Sequence, residues 1–161
     1  MALEIDSEIR ELVNRAETVK VLSLHDDDGN PHSFVKTTLR ISPDGVIEYH
    51  EFNESSKSYK YFTRALWFDK KAAVTVIGQN GENYLIKGKP MKIIICGSAF
   101  EKNYSWIRKE FGDVDLAAVC LIEPEELIIE PSLDRLIEVN KNKPIFTHLD
   151  RLASDDVRPK A

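Results

Sequence analysis

The sequence predicts a mainly β protein: a small antiparallel barrel with one helix inserted after its third strand and further helices at both flanks. Three turn sequences, Asp28-Gly29, Asp44-Gly45 and Asn80-Gly81, each lie between strand-like runs. Such dipeptides indicate hairpins, because a type I′ turn needs positive φ at both central residues. A helical stretch separates the second turn from the third. The first two turns are therefore expected to join three strands into a meander.

The composition is that of one acidic globular domain. We expect a single domain over 1–161, with an N-terminal helix in 1–18, the barrel in 19–130 and a C-terminal helix and tail in 131–161. The net charge of −5 disfavours nucleic acid and anionic membranes as partners. No apolar run approaches the roughly 20 residues that span a bilayer. The first six residues lack the features of a signal peptide, so a cytoplasmic location is expected.

The first half of the chain is predicted to hold two helices and three strands. Apolar residues at helical spacing predict an amphipathic helix over 6–18, and Tyr59, Phe62 and Leu66 predict another over 56–66. The strands are expected at 19–25, 32–41 and 46–52. In the second of these, apolar or hydroxyl residues alternate with polar ones, which is the period of a half-buried strand.

The second half is predicted to add four strands and two helices. The strands are expected at 72–78, 83–96, 116–122 and 127–130, with a turn at 123–126. Gly88 and Pro90 indicate a bend or bulge in the long strand 83–96. The helices are expected at 100–111, with Gly112 after its end, and from Ser132 through Leu136 and Ile137. The residues 155–161 are expected to be a frayed tail.

Few familiar catalytic or metal-binding motifs occur. Asp26, Asp28 and Asn30 have the spacing of calcium-loop ligands, but Pro31 and Thr37 stand where that loop needs glycine and glutamate. A solvated hairpin turn is therefore expected. The four histidines form no paired motif, so no metal site is predicted. Cys96 and Cys120 lie in apolar runs without a CxxC pattern, which predicts buried thiols in a reducing compartment.

Lysines next to hydroxyl residues are the remaining candidates for a binding site. They form two groups, one on the second strand and one opening the inserted helix: Lys36, Thr37 and Thr38, and Ser55, Ser56 and Lys57. A phosphate group is bound by cations, hydroxyl donors and the free N–H groups of a helix N-terminus. The alternative is that the serines only cap the helix and Lys57 is solvated. Adjacent barrel strands would bring the two groups close together.

The order of elements over about 19–130 resembles that of the FMN-binding split barrels of the pyridoxamine 5′-phosphate oxidase superfamily. The matching features are the ValLysValLeuSerLeu strand, the turn at 29–31, the Asp44-Gly45 turn and a strand ending in Ile86-Lys87-Gly88. The segment Ser55-Ser56-Lys57 is similar to the family's Ser-Arg-Lys phosphate motif.

The resemblance implies an antiparallel split β-barrel of the FMN-binding type, forming a homodimer with FMN in the groove between subunits. The flavin would carry redox chemistry on a small-molecule substrate, and no residue is predicted to be a dedicated acid or base. Carried over by position, Lys57 would contact the phosphate with Ser55 and Ser56. Lys36, Thr37 and Thr38 would lie near the phosphate, ribityl chain or ring edge, and Gln79 or Asn83 would reach the ring. Glu51 departs from the family, which usually has a hydroxyl residue near that position.

Two other functions are weighed against the flavoprotein. One is a non-enzymatic ligand carrier on the same barrel, holding haem or a deazaflavin or having lost its cofactor. His50 or His148 would then be the candidate axial ligand of a haem. The other is a barrel that binds single-stranded nucleic acid. The acidic charge and the lack of a basic, aromatic stripe argue against it.

Overall fold

The computed structural model describes residues 3–142, and seven of its segments are strands of one antiparallel sheet. The strands are β1 Val19–His25, β2 Pro31–Val35, β3 Arg40–Ile41, β4 Ile47–Glu51, β5 Ala72–Ile77, β6 Asn83–Ile94 and β7 Ala118–Glu130. The helices are α1 Ser7–Asn14, α2 Lys57–Trp67, α3 Ser98–Phe111 and α4 Leu133–Asn142. The sheet curls into a half-barrel with flanking helices, so the predicted fold class is confirmed. None of the helices in this part of the chain is long and apolar enough to cross a membrane.

The sheet order is β2-β1-β5-β6-β7-β4-β3, which places β2 and β3 at opposite edges. The predicted single strand over 32–41 is therefore wrong, and so is the meander. Lys36 N donates to Lys20 O (2.9 Å) beyond the end of β2, and Leu39 N donates to Lys36 O (3.1 Å) in a turn. Residues 36–39 thus carry the chain from one edge of the sheet to the other. We name this segment the crossover.

The three predicted hairpin turns are present, but they are not type I′ turns. In each of them glycine alone has positive φ: 84° at Gly29, 81° at Gly45 and 81° at Gly81. Three residues lie between the closing backbone pairs, which are Asp26 N to Asn30 O, Ser42 N to Val46 O and Gly78 N to Glu82 O. A three-residue loop needs one residue with positive φ at its end, whereas a two-residue type I′ turn needs two such residues.

Strand β7 runs without interruption through Pro124, so the turn predicted at 123–126 is wrong. Lys87 pairs with Glu126 and Gly88 pairs with Pro124, which leaves Glu125 as the extra residue of a bulge. Strand β4 pairs with β7 only over 118–122, so Pro124 lies past the end of that ladder. A proline is tolerated at such a position because its missing N–H breaks few ladder bonds.

The core lies between the inner face of the sheet and helices α1 and α2. Its largest fully buried side chains include Leu22 and Ile86 from the sheet and Phe62 from α2. Helix α1 is shorter than the predicted 6–18, because the chain is extended at Arg15 and the Thr18 hydroxyl donates to the Leu12 carbonyl (2.6 Å).

The two cysteines differ in their exposure. Cys120 is buried in the core, as predicted. Cys96 is exposed, which corrects the prediction for that thiol, because β6 ends at Ile94 and Cys96 follows it in a loop.

Helix α4 belongs to a separate unit that begins at Pro131. As predicted, Ser132 caps it, since its hydroxyl oxygen accepts from Arg135 N (3.3 Å).

Candidate functional site

Lys36, the first residue of the crossover, is the centre of a buried polar cluster. Its ammonium group donates to Glu51 Oε2 (3.0 Å) and to Ser58 Oγ (2.7 Å). Glu51 is the last residue of β4, and Ser58 lies in the first turn of α2. The Lys36 side chain is 14% exposed and that of Glu51 is 6% exposed. We name these three residues, together with Ser56, the Lys36 cluster.

The hydroxyl hydrogens of this cluster can be assigned from its partners. Ser58 Oγ donates to Glu51 Oε2 (2.5 Å), because a carboxylate only accepts. Its remaining lone pairs accept from Lys36 and from Ser56 Oγ, which lies 3.2 Å away. Ser56 Oγ in turn accepts from Tyr59 N (3.1 Å) as the N-cap of α2. One residue of each group predicted from the sequence therefore takes part, and Ser58 joins Lys36 to Ser56.

The groups beside the Lys36 cluster are held neutral. The Lys36 ammonium lies 5.2 Å from the centre of the Tyr49 ring, and burial raises the pKa of the Tyr49 phenol. Burial also raises the pKa of the Cys120 thiol to about 12. Among the described residues, the Tyr49 hydroxyl is one of two buried side-chain oxygens without a hydrogen-bond partner. The charge of the cluster is therefore that of one ammonium group and one carboxylate.

The start of α2 is more open. Ser55 and Lys57 are exposed, and the Ser55 hydroxyl donates to Asn53 Oδ1 (2.8 Å). Lys57 takes part in no ion pair within residues 3–142. The N–H groups of Lys57 and Ser58 have no acceptor inside the helix, as at any helix start. This end therefore offers a cation and free backbone N–H donors to an anion, whereas the hydroxyl hydrogens of Ser55 and Ser56 are already directed to Asn53 and Ser58.

The other predicted site residues lie at two further places. Thr37 and Thr38 line a cleft of about 370 Å³, which is also bordered by Trp106. Thr37 is exposed, whereas Thr38 is buried. Gln79 is exposed in the β5–β6 loop, and Asn83 begins β6 with its side-chain oxygen buried and unpartnered in the described structure. The strand of Asn83 is three positions from β2 in the sheet, roughly 14 Å along it.

A second polar cluster surrounds His50 on β4. His50 Nε2 donates to Asn103 Oδ1 (2.7 Å) on α3, because the same oxygen also accepts from Arg40 Nη2 (2.7 Å). His50 Nδ1 faces the Thr38 carbonyl at 3.0 Å. The Arg40 guanidinium lies 4.1 Å from the centre of the Trp106 ring. This cluster connects β4, the crossover and α3.

The surroundings of His50 bear on the haem alternative. Each of its ring nitrogens faces a protein oxygen and the residue is 1% exposed, so one of these oxygens would have to move away before the ring could bind a metal. His148 lies outside the described residues. Burial lowers the pKa of His50, the bond to Asn103 opposes that shift, and the Arg40 charge adds to it. Within residues 3–142, no three His, Cys, Asp or Glu side chains are grouped to hold a metal ion.

The turn at 26–30 is a hairpin turn held by its own hydrogen bonds, as predicted. Asp26 Oδ1 accepts from Asp28 N (3.0 Å) and Asn30 N (2.8 Å). The turn is less solvated than expected, because Asp27 pairs with Arg64 (2.7 Å) and with Lys60, both on α2. These pairs lower the pKa of the Asp27 carboxyl.

The fit of these residues to FMN differs between the two parts of the site. A phosphate dianion needs positive charge that is not already compensated, and Lys36 is already paired with Glu51. The Lys36 cluster as it stands therefore does not fit a phosphate group. The start of α2 does fit one in its chemistry, since Lys57 forms no ion pair in the described part of the chain and lies beside free backbone N–H groups. The hydroxyl groups of Ser55 and Ser56 lie there too, with their hydrogens directed to Asn53 and Ser58.

Two residues of these clusters were missed by the reasoning from sequence. Ser58 lies one position past the segment that was compared with the family motif. Asn103 lies four residues before Ile107 in α3, and both are buried. A polar residue on the buried face of a helix was the available signal, because such a residue needs a partner.

Comparisons with solved structures identify the fold. No family model and no curated protein matches this sequence. HupZ of Group A Streptococcus is 19% identical, with a TM-score of 0.64, and the match covers 78% of this chain and 94% of that one. An FMN-binding protein from Syntrophomonas wolfei subsp. wolfei is 16% identical, with a TM-score of 0.60 and coverage of 77% and 84%. A proposed pyridoxamine 5′-phosphate oxidase from Listeria innocua is 20% identical, with a TM-score of 0.58 and coverage of 78% and 98%. The chain has the split-barrel fold, and the resemblance inferred from the sequence is confirmed at the level of the fold.

Proposed function

We propose that this protein is a flavin-binding split barrel of the oxidoreductase type, with FMN as its cofactor. The observation that carries the proposal is the start of α2, where the exposed Lys57 forms no ion pair within residues 3–142 and lies beside the free backbone N–H groups of the helix. A solved FMN-binding protein with the same fold supports it. The phosphate of the cofactor would lie at this helix start rather than at Lys36.

The proposal includes a homodimer with the cofactor between subunits. Its support is an apolar patch on the outer face of the sheet. Val19 and Ile77 face each other across β1 and β5, and Val35 pairs with Val21 on the same face. Val19, Val35 and Ile77 are 46%, 67% and 41% exposed. Apolar side chains grouped on a strand face are typical of a surface covered by a partner. We name Val19, Val35 and Ile77 the outer patch.

The chemistry expected of such a protein is divided between cofactor and chain. A bound flavin would supply hydride transfer to or from a small-molecule substrate. The residues of the chain would bind and orient the cofactor. Thr37, in the cleft beside Trp106, and the residues at the start of α2 are the candidates for this role. Gln79 and Asn83 keep their proposed place near the flavin ring, and the side-chain oxygen of Asn83 is buried without a hydrogen-bond partner among the described residues.

The first test is the visible absorption spectrum of the purified protein before and after addition of FMN. A flavin spectrum that is released on denaturation is the expected result. In Lys57→Ala the affinity for FMN should fall by about tenfold or more, because a charged hydrogen bond to the phosphate is lost. Lys102→Ala removes an exposed lysine on α3 and should leave the affinity unchanged. Equal affinity of Lys57→Ala and the wild type would refute the phosphate contact.

The second candidate is a ligand-binding barrel that is not an enzyme, holding haem or a deazaflavin or having lost its cofactor. The Glu51–Lys36 pair favours the last of these, because it closes one part of the phosphate site with an internal anion. A colourless protein that leaves the spectrum of added FMN unchanged would support this candidate. A Soret-type absorption would instead support haem.

A further inference from the structure

We infer that Glu51 is the residue that limits the affinity of this site for phosphate: its carboxylate takes the position of the anion beside Lys36. The inference rests on the proposed function insofar as the ligand is a flavin. It goes beyond that function because it states which groups of the ligand the Lys36 cluster favours. In this chain Lys36 does not bind the phosphate, and the Lys36 cluster accepts hydroxyl groups rather than anions.

Lys36 is already engaged by partners inside the protein. Two of its three N–H donors are directed to Glu51 Oε2 and Ser58 Oγ, at 3.0 and 2.7 Å. The same carboxylate oxygen also accepts from Ser58 at 2.5 Å. One anionic oxygen thus receives a charged donor and a hydroxyl donor, which is the pair of contacts that a phosphate oxygen would need.

Glu51 is held in this position by the sheet. Glu51 ends β4 opposite Ala118 of β7, and its carbonyl oxygen accepts from Ala117 N (2.8 Å). Its side chain is 6% exposed. Moving the carboxylate away from Lys36 would leave a buried charge without its partner, which is strongly unfavourable. A phosphate therefore cannot displace Glu51 as a loose surface side chain would be displaced.

The other oxygen of the Glu51 carboxylate is in a different environment. Glu51 Oε1 has no hydrogen-bond partner in the described structure, and it is not among the buried atoms that lack one. The side chain is only 6% exposed, so this oxygen is an acceptor at the edge of the cluster with little access to solvent. An acceptor with negative charge attracts hydroxyl donors, such as those of a ribityl chain, and repels a phosphate.

The test compares FMN with riboflavin, which lacks the phosphate, by quenching of flavin fluorescence. In Glu51→Gln the affinity for FMN should rise at least tenfold relative to the affinity for riboflavin, because Lys36 then has no anionic partner. Glu48→Gln is the matched control, since Glu48 lies on the same strand, three residues earlier, and pairs with Arg40 at 2.9 Å. It should leave the ratio of the two affinities as in the wild type.

A second variant keeps the inference testable if Glu51→Gln fails to fold. The double variant Lys36→Met/Glu51→Gln removes both charges together, so that no unpaired ion is left buried in the folded protein. It should keep the wild-type ratio of FMN to riboflavin affinity. A tenfold fall of that ratio would mean that Lys36 binds the phosphate in the wild type, and the inference would be wrong. An unchanged ratio in a folded Glu51→Gln protein would also overturn it.

A measurement with inorganic phosphate separates this inference from the proposed function. Phosphate should raise the unfolding temperature of Glu51→Gln by more than that of the wild type, whether or not either protein binds a flavin. If it does so and neither protein binds FMN or riboflavin, the role of Glu51 stands and the flavin function falls. Equal stabilisation of both proteins by phosphate would refute the role of Glu51.

Discussion

At the scale of single residues, His50 connects parts of the chain that are far apart in sequence. Its ring joins β4 to Asn103, 53 residues later in α3, and to the carbonyl of Thr38 in the crossover. Only an imidazolium ion can donate to both acceptors, whereas the neutral ring donates one bond. Burial nevertheless lowers the pKa of His50, so the neutral ring is favoured in the folded protein.

This shift predicts how stability depends on pH. Because the pKa of His50 is lower in the folded than in the unfolded protein, the unfolded chain binds an extra proton as the pH falls below about 6.5. Above that pH the neutral ring contributes its full stabilisation. This contribution is lost as the pH falls toward the pKa of His50 in the folded protein. We therefore expect the free energy of unfolding to fall between pH 7.5 and 5.5, and to fall less in His50→Gln.

Urea unfolding at the two pH values measures this difference. His25→Gln is the control, since His25 is exposed at the end of β1. If His50→Gln kept the full pH dependence of the wild type, another group would be its source.

At the scale of elements, the bulge between β6 and β7 depends on Gly88. A Cβ at this position would lie 2.5 Å from the Glu123 carbonyl oxygen and 2.6 Å from Ile122 Cγ2. Backbone atoms of a paired strand cannot move aside as the end of a flexible side chain can. The glycine is therefore required by the close approach of β7 and not by a positive φ.

Gly88→Ala is expected to lower the free energy of unfolding by about 1–3 kcal/mol, since overpacking of a closed site costs that much. Lys92→Ala, an exposed change near the second register shift of β6, should stay within about 0.5 kcal/mol of the wild type. Chemical denaturation of both variants makes the comparison. A Gly88→Ala protein as stable as Lys92→Ala would contradict the close contact.

At the scale of the whole molecule, the outer patch sets the expected assembly. Strand β2 is an edge strand, and Val35 on it is 67% exposed. A second copy that covered this face would shelter the apolar side chains of three neighbouring strands. The crossover begins directly after Val35, so a partner on this face would also come close to Lys36 and Thr37.

Ile77→Glu is expected to convert the proposed homodimer to a monomer of 18.4 kDa, because a carboxylate would be buried without a partner in the interface. Light scattering after gel filtration gives the mass. Trp67→Glu changes a 79% exposed aromatic residue on α2, outside the outer patch, and should leave the mass unchanged. If Ile77→Glu stayed dimeric, the outer patch would not be the interface.

Patterns in the sequence predicted most of the elements, because the signals that set them are local. Strand β1 has the predicted bounds, and the N-cap Ser56 begins α2 as expected. The crossover was missed because Thr37, Thr38 and Leu39 favour a strand locally, whereas the closing of the half-barrel requires the chain to change edges there. The turn expected around Pro124 was wrong because pairing with β6 along its length outweighed a local turn signal.

The candidate site shows the same limit. Charge and hydroxyl content led to Lys36 and Ser56, and the structure brings them together. The pairing of Glu51 with Lys36 depends on how the crossover, β4 and α2 meet, since the residues are 15 apart in sequence and only the course of the crossover brings them together. No periodic pattern in the sequence around either residue indicates that contact.

The pairing of β4 with β7 also determines when the strand that carries Glu51 can be completed during synthesis. Strands β3 and β4 make a hairpin early in the chain, but the partner that covers the other side of β4 is made some 70 residues later. Until β7 leaves the ribosome, the strand that carries Glu51 has an unpaired edge, and domains commonly fold as units as they are completed. Glu51 therefore gains its backbone contacts with Ala117 and Ala118 only after β7 is made, whereas its contact with Lys36 joins residues made much earlier.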